Sequence, residues 1–127
     1  MTQAQLQQAL HQAITYLSDS QEADGGWGYG RGKQTVAEPT CYALLALVAN
    51  AKPEEYATRQ SRALEWFAAH TNQVGAISHI QKPENALDLE TFDNWGTMLA
   101  FFTLQKLNLA PELRARYLKY LLTSHGN

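Results

Sequence analysis

The sequence contains one cysteine, no long apolar segment and no excess of basic charge. Cys41 stands alone, which excludes an internal disulfide framework and a multi-cysteine zinc site. Ten Lys and Arg against twelve Asp and Glu give a formal net charge of −2, so no basic surface for nucleic acid is expected. No uninterrupted run approaches the ~20 apolar residues that span a bilayer. The N-terminus lacks the cationic start and apolar core of a secretory signal, which predicts a cytoplasmic protein.

The first half of the chain shows two different helical patterns. The 127 residues are 45% hydrophobic and 17% charged, which suits one domain with a core. Apolar residues recur at helical spacing from Leu6 to Leu17, and this predicts an amphipathic helix that ends near Ser20. Residues 24–33 are too rich in glycine to be helical. A second helix is predicted from Glu38-Pro39, apolar on every side and therefore buried all round.

The second half continues the alternation. Pro53 opens a third helix, amphipathic like the first. A fourth helix is predicted from about Phe92 to Leu107, almost wholly apolar, and Pro111 opens an amphipathic fifth. No alternating strand pattern is present, which predicts an all-α fold. Outer amphipathic helices are expected to surround inner apolar ones, joined as successive hairpins.

The same pattern occurs more than once. Ala13-Ile14-x-x-Leu17 aligns with residues 63–67 at an offset of 50, and with residues 117–121. Thr40-x-x-Ala43-Leu44-x-x-Leu47 aligns with residues 97–104 at an offset of 57. We expect a single domain over 1–127, with repeat one at about 4–52, repeat two at about 53–108 and a half repeat at about 111–127.

The first repeat resembles a known family. Residues 13–28, with Gln21-x-x-Asp24-Gly25-Gly26-Trp27-Gly28, are similar to the Q-W repeat of the squalene and oxidosqualene cyclases. Residues 38–47 resemble the inner helix that follows it. The same superfamily includes other class II terpene cyclases and the β subunits of protein prenyltransferases. The resemblance implies a partial α/α toroid. The implied structural brace consists of Gln21, Gly25, Gly26 and Trp27, in which the glutamine bonds backbone at a helix end and the tryptophan stacks on it.

The resemblance also points to candidate acids. Class II cyclases carry a DxDD motif before the threonine of an inner helix, and its middle aspartate protonates the substrate. Before Thr40 the middle place holds Glu38, but Val36 and Pro39 stand where the other acids should be. Before Thr97 the place of the first acid holds Asp93, but Trp95 and Gly96 follow where the other two should be, so neither repeat has the full motif. A lone carboxylate can act as a general acid when burial raises its pKa. Glu38 also suits the positive end of a helix dipole.

Three further groups remain open to two interpretations each. The candidate ligand-lining residues are Trp27, Tyr29, Tyr42, Trp95 and Phe101, since cyclases line their cavities with rings that stabilise carbocations, but core packing explains them too. Arg31 and Lys33 could grip a diphosphate within the glycine-rich turn, although no phosphate-loop motif is present. Asp88-x-Glu90-x-x-Asp93 could hold a divalent ion or form a solvated acidic loop. We expect no bound metal and no cofactor.

The sequence thus favours a binding or assembly module without self-sufficient catalysis. A closed ring in the resembled family takes roughly six hairpins, whereas this chain supplies two and a half. The expected partner is another copy, a larger repeat protein or a lipophilic isoprenoid. The alternative is a reduced terpene-cyclase-like enzyme, active as an oligomer on an isoprenoid. A third interpretation is an inactive piece of a longer chain.

Overall fold

The chain folds into five α-helices in a computed structural model, which describes residues 1–78 and 89–124, without the side chains of 89–92 and 124. The helices are α1 (Gln3–Ser20), α2 (Ala37–Asn50), α3 (Pro53–Ala69), α4 (Leu89–Leu107) and α5 (Pro111–Ser124). Across these two ranges, the extended backbone pairs only at an isolated bridge between Thr71 and Ile77. The predicted all-α fold is confirmed.

The helix ends follow the sequence with two corrections. Thr2 caps α1, since its hydroxyl accepts from the Gln5 amide at 3.1 Å while Gln5 Oε1 accepts from the Thr2 amide at 2.8 Å. The predicted start of α2 at Glu38-Pro39 was late, because Pro39 is the third helical residue, where its missing N–H still costs no helical bond. The predicted start of α4 near Phe92 was also late, since the helix begins at Leu89.

Helices α2 and α4 form the inner layer. Helix α2 packs against α1, α3 and α4, whereas α4 packs against α2 and α5. The outer helices are therefore α1, α3 and α5, in the predicted alternation of amphipathic and apolar elements. The fully buried side chains of the core come from the four helices α2 to α5 and include Cys41, Leu44, Leu47, Ala63, Trp66, Phe67, Leu104 and Tyr117.

The prediction that the inner helices are buried all round was wrong. Tyr42 of α2 is 52% exposed, and Trp95 and Phe102 of α4 are 49% and 60% exposed. Helix α2 packs against α1, α3 and α4, and in the part of the chain that the structure describes no helix packs over the exposed Tyr42 side chain. Although α2 and α4 are strongly apolar, no helix in the described ranges combines the length and the hydropathy needed to cross a membrane.

The apolar stripe of α1 is buried along only half of its length. Ile14 is buried and Leu17 is half-buried against the core, as the helical spacing predicts. Leu6 and Leu10, in the first half of the same stripe, are exposed. Helix α1 packs mainly on α2, whereas the later outer helix α3 packs on α2 and also bonds to the first turn through Arg62.

Candidate functional site

The first turn, residues 21–36, brings the predicted brace residues together. Gln21 is the C-cap of α1, and its Nε2 donates to the carbonyls of Gly25 at 2.8 Å and Arg59 at 3.0 Å. Gly25 has a φ of +95°, and a Cβ at this residue would lie 2.1 Å from the Arg62 carbonyl oxygen. Glycine is required by both the backbone conformation and the close approach to α3. Gln21 therefore ties the turn to the next outer helix.

Trp27 connects the two helices of the first hairpin. It is buried, and its indole Nε1 donates to the Leu17 carbonyl of α1 at 2.8 Å. Its backbone N–H donates to Thr40 Oγ1 of α2 at 2.9 Å, while the Thr40 hydroxyl donates to the Trp27 carbonyl at 3.2 Å. These polar groups of Trp27 and Thr40 all have a partner, and loss of one would leave an unsatisfied buried group at a cost of about 1–3 kcal/mol. A Cβ on neighbouring Gly26 would lie 2.6 Å from the ring of Trp66.

Two side chains of α3 complete this joint between repeats. Arg62 Nη2 donates to the carbonyls of Glu22 and Ala23, at 3.0 Å each. Trp66 is fully buried, and its Nε1 donates to Thr35 Oγ1 at 3.0 Å. The guanidinium and the indole therefore satisfy turn groups that no helix of the first repeat reaches.

The second turn repeats this geometry despite its different sequence. The Ile77 amide donates to Thr97 Oγ1 at 2.9 Å, as Trp27 does to its own threonine. Gly75 has a φ of +92°, and a Cβ there would lie 2.7 Å from the Arg116 carbonyl oxygen. Arg116 Nη2 donates to the Asn72 carbonyl at 2.8 Å. The two turns are thus docked onto the following outer helix in the same way.

The docking arginines were missed in the sequence analysis. Arg62 and Arg116 each stand immediately before an aligned position of the repeat, Ala63 and Tyr117. The signal was present as an identical residue at the same place in two outer helices. It carries little weight by itself, because arginine on an amphipathic helix is ordinarily a solvated residue.

The second repeat replaces the glutamine of the brace with a different contact. Thr71 stands in its place, and the Thr71 hydroxyl lies 2.8 Å from the Tyr117 hydroxyl and 2.6 Å from the Phe67 carbonyl. Tyr117 is fully buried, and burial raises the pKa of its phenol to about 12. At the first turn, Gln21 links the turn to the next outer helix, α3. At the second turn, the contact between Thr71 and Tyr117 makes the corresponding link to α5.

Glu38 lies where the first turn, α2 and α4 meet. The Tyr29 hydroxyl donates to Glu38 Oε1 at 3.2 Å, and Trp95 Nε1 donates to Glu38 Oε2 at 3.4 Å. Partial desolvation and the negative charge of Glu38 raise the pKa of the Tyr29 phenol. The structure thus joins a predicted acid to two predicted ligand-lining residues, one from each repeat.

A surface cavity of about 370 Å³ lies beside this cluster. Its lining includes three of the predicted ligand-lining residues, Trp27, Tyr29 and Tyr42. Arg31 also lines it, with its guanidinium carbon 5.0 Å from the centroid of the Tyr16 ring. Lys33 lines a different depression, so the structure does not join Arg31 and Lys33 into one diphosphate grip.

The remaining predicted residues lie along α4. Trp95 and Phe101 are not in the lining of this cavity. Phe101 is half-buried against the core, with its ring centroid 5.7 Å from that of Phe102. Asp93 lies two residues before Trp95 and is half-buried, and its backbone carbonyl accepts from the Thr97 hydroxyl at 2.5 Å.

The described side chains form no cluster of three or more His, Cys, Asp or Glu that could hold a metal ion. Asp88 and the side chain of Glu90, from the predicted acidic pattern, lie outside the described residues. Cys41 is buried in α2, and burial raises the pKa of its thiol to about 11. A protonated, buried thiol is a poor nucleophile and a poor metal ligand.

Comparison with known proteins adds one partial match. An uncharacterized protein of Bradyrhizobium diazoefficiens is 43% identical over 63 residues, which cover 45% of this chain and 12% of that protein. The chain therefore corresponds to a small part of the length of this relative. No protein-family model and no solved structure matches the chain.

Proposed function

We propose that the chain is an α/α-hairpin repeat module, similar to those of terpene cyclases and prenyltransferase β subunits, that acts in binding and assembly. Two observations support the repeat assignment: the inner and outer helices alternate, and both turns dock through the same bonds. The proposal places the module in the cytoplasm, with no cofactor of its own.

The exposed aromatic side of the inner layer supports the assembly role most directly. Tyr42 lies one helical turn after Glu38, on the same side of α2. Trp95 of α4 reaches that carboxylate, so it lies beside Tyr42. Met98 and Phe102 follow Trp95 at intervals of three and seven residues and are also exposed. These four side chains form one apolar surface across α2 and α4, which we call the inner face.

We propose that a second copy of the chain covers the inner face. The surface extends over two helices, whereas the 370 Å³ cavity includes only Tyr42 of its four side chains, so a ligand in the cavity would leave Trp95 and Phe102 in water. Two copies related by a twofold axis would bury the same side chains from both partners. The carboxylate of Glu38, which lies beside the face, is already hydrogen-bonded by two donors.

Light scattering of the purified chain against concentration tests the proposal. We expect a dimer whose dissociation constant rises at least about tenfold in Phe102→Ser, because burial of an aromatic ring contributes roughly 2 kcal/mol. Val74→Ser is the matched control, since Val74 is exposed in the second turn, away from the inner face. A strict monomer at all concentrations contradicts self-association, and a monomer that co-purifies with an isoprenoid points to the lipophilic ligand instead.

The alternative function is catalysis on an isoprenoid, and the position of Glu38 favours it. This carboxylate borders an aromatic-lined cavity, and donors bind both of its oxygens. As a general acid it would transfer a proton to an alkene at the cavity, leaving a carbocation beside the tyrosine rings. Product analysis with an isoprenoid tests this: conversion that is lost in Glu38→Gln supports the enzyme, and conversion that survives the substitution removes Glu38 from the reaction.

A further inference from the structure

We propose that α1 binds an uncharged apolar helix of a partner protein along Leu6, Leu10 and Ala13, which we call the α1 stripe. The three residues lie at i, i+4 and i+7 and are all exposed. The proposal rests on the repeat assignment above but not on the inner face, which lies on other helices.

The three outer helices differ in burial at one aligned position. Ala63 of α3 and Tyr117 of α5 are both fully buried, whereas the corresponding Ala13 of α1 is exposed. Helix α3 packs on α2, and α5 packs on α4. Each later outer helix therefore lies on the inner helix that precedes it in the chain. Among the described residues no helix lies in that place beside α1.

A second aligned position shows the same difference. Trp66 of α3 is 1% exposed and bonded to the preceding turn, and Tyr120 of α5 donates from its hydroxyl to Asn94 Oδ1. The corresponding Tyr16 of α1 is 53% exposed, and the guanidinium that lies over its ring belongs to Arg31 of its own repeat. Leu6, Leu10, Ala13 and Tyr16 are therefore exposed over about three turns of α1, where the aligned Ala63 and Trp66 of α3 are buried.

The charge pattern of α1 sets it apart from the other outer helices. Residues 3–18 contain no Asp, Glu, Lys or Arg, and the polar positions are mostly glutamine. The charged residues of the other two outer helices are Glu54, Glu55, Arg59, Arg62 and Glu65 in α3 and Glu112, Arg114, Arg116 and Lys119 in α5. A helix that faces only water is normally charged on its outer side. Uncharged amide side chains can be covered by a partner without the high cost of desolvating an ion.

The inner helices show the chemistry of the partner that this surface fits. Ala43 of α2 and Ala100 of α4 are buried, and small side chains allow close approach of an outer helix. Residues 39–50 of α2 carry no charge, and neither do residues 96–105 of α4. The α1 stripe is likewise apolar and uncharged. We therefore assign to it a partner helix of this inner type: apolar, uncharged and rich in alanine and leucine.

A peptide of residues 39–51, which contain no Asp, Glu, Lys or Arg, is labelled with fluorescein at its N-terminus and serves as the probe. Its anisotropy is followed as the full 127-residue chain is added, below the concentration at which the peptide alone gains anisotropy. We expect saturable binding that weakens at least about tenfold in Leu10→Asp and in Leu6→Asp, because each change places a charge in an apolar contact. Both residues are exposed, so melting temperatures should match that of the unchanged chain. Val74→Asp, an exposed apolar site outside α1, is the control and should bind as the unchanged chain does.

Three outcomes overturn the proposal. The first is the absence of binding, and the second is binding that Leu10→Asp leaves unaltered. The third is a dimer of the chain alone that Leu10→Asp dissociates, since α1 would then pair with another copy of α1 rather than with an inner-type helix. Phe102→Ser separates the two surfaces: it should dissociate the dimer but retain peptide binding, so failure of the inner face and failure of the α1 stripe give different results.

Discussion

Replacement of Gly25 by alanine should destabilise the protein far more than the same change at Gly32. Both glycines have positive φ, +95° and +76°, so each substitution carries a backbone cost of about 1–2 kcal/mol. At Gly32 a Cβ would meet nothing within 4 Å, and the cost stops there. At Gly25 a Cβ would lie 2.1 Å from the Arg62 carbonyl oxygen, so the turn has to move away from α3.

That displacement adds a packing cost of about 1–3 kcal/mol, since it also strains the bonds from Gln21 and Arg62 across the joint. The two costs together predict that Gly25→Ala lowers the free energy of unfolding by about 2–5 kcal/mol and Gly32→Ala by about 1–2 kcal/mol. Urea denaturation at 25 °C, followed by far-UV circular dichroism, measures both. Equal losses in the two variants would refute the close docking of the first turn on α3.

Three further predictions concern buried polar groups. Trp66→Phe removes the hydrogen bond to Thr35 and should lower the free energy of unfolding by about 1–3 kcal/mol in the same urea assay. The control Trp95→Phe, at an exposed residue, should lower the free energy of unfolding by less than about 0.5 kcal/mol. Burial raises the pKa of Tyr117 from 10 to about 12, so the phenol of the unfolded chain ionises first as the pH rises. The contribution of Tyr117 to stability is therefore complete below pH 10 and declines between pH 10 and 12. Urea titrations across this range should show a steeper loss of stability in the unchanged chain than in Tyr117→Phe. Cys41, with a pKa raised to about 11 by burial, should react with a thiol reagent at neutral pH only when urea unfolds the chain, and rapid labelling of the folded protein would contradict its burial.

The alternation of helices was predictable because it depends on local patterns. Prolines at the first position of α3 and α5, and a glycine-rich turn after α1, mark boundaries that neighbouring residues determine. The repeat was also visible, since aligned threonines Thr40 and Thr97 turned out to make the same bond to the backbone of a turn. A local signal repeated at a constant offset identifies the same structural role twice.

Exposure was not predictable, because it depends on which neighbours a helix has. The apolar residues of α2 and α4 indicated complete burial, yet Tyr42 and Phe102 are exposed where no other described helix lies against them. Likewise the spacing of Leu10 and Ile14 places both on one stripe of α1, but only Ile14 meets α2. Hydrophobic periodicity shows which side of a helix can be buried and does not show what buries it.

The candidate site was predictable as a set of residues but not as a geometry. Glu38, Tyr29 and Trp95 come from α2, the first turn and α4, and nothing in their spacing places them within hydrogen-bonding distance. The docking arginines Arg62 and Arg116 were hidden for a related reason, since their acceptors are backbone carbonyls, which have no sequence signature.

Quenching of tryptophan fluorescence by acrylamide, measured against protein concentration, tests the role of the inner face most directly. Of the three tryptophans, Trp27 and Trp66 are 3% and 1% exposed, and Trp95 is 49% exposed, so the accessible emission reports on the inner face. If a second copy covers this face, the quenching constant should fall as the protein concentration rises through the dimer range, and Phe102→Ser should abolish the fall. A quenching constant that stays the same at every concentration, in a chain that light scattering shows to associate, would contradict the account.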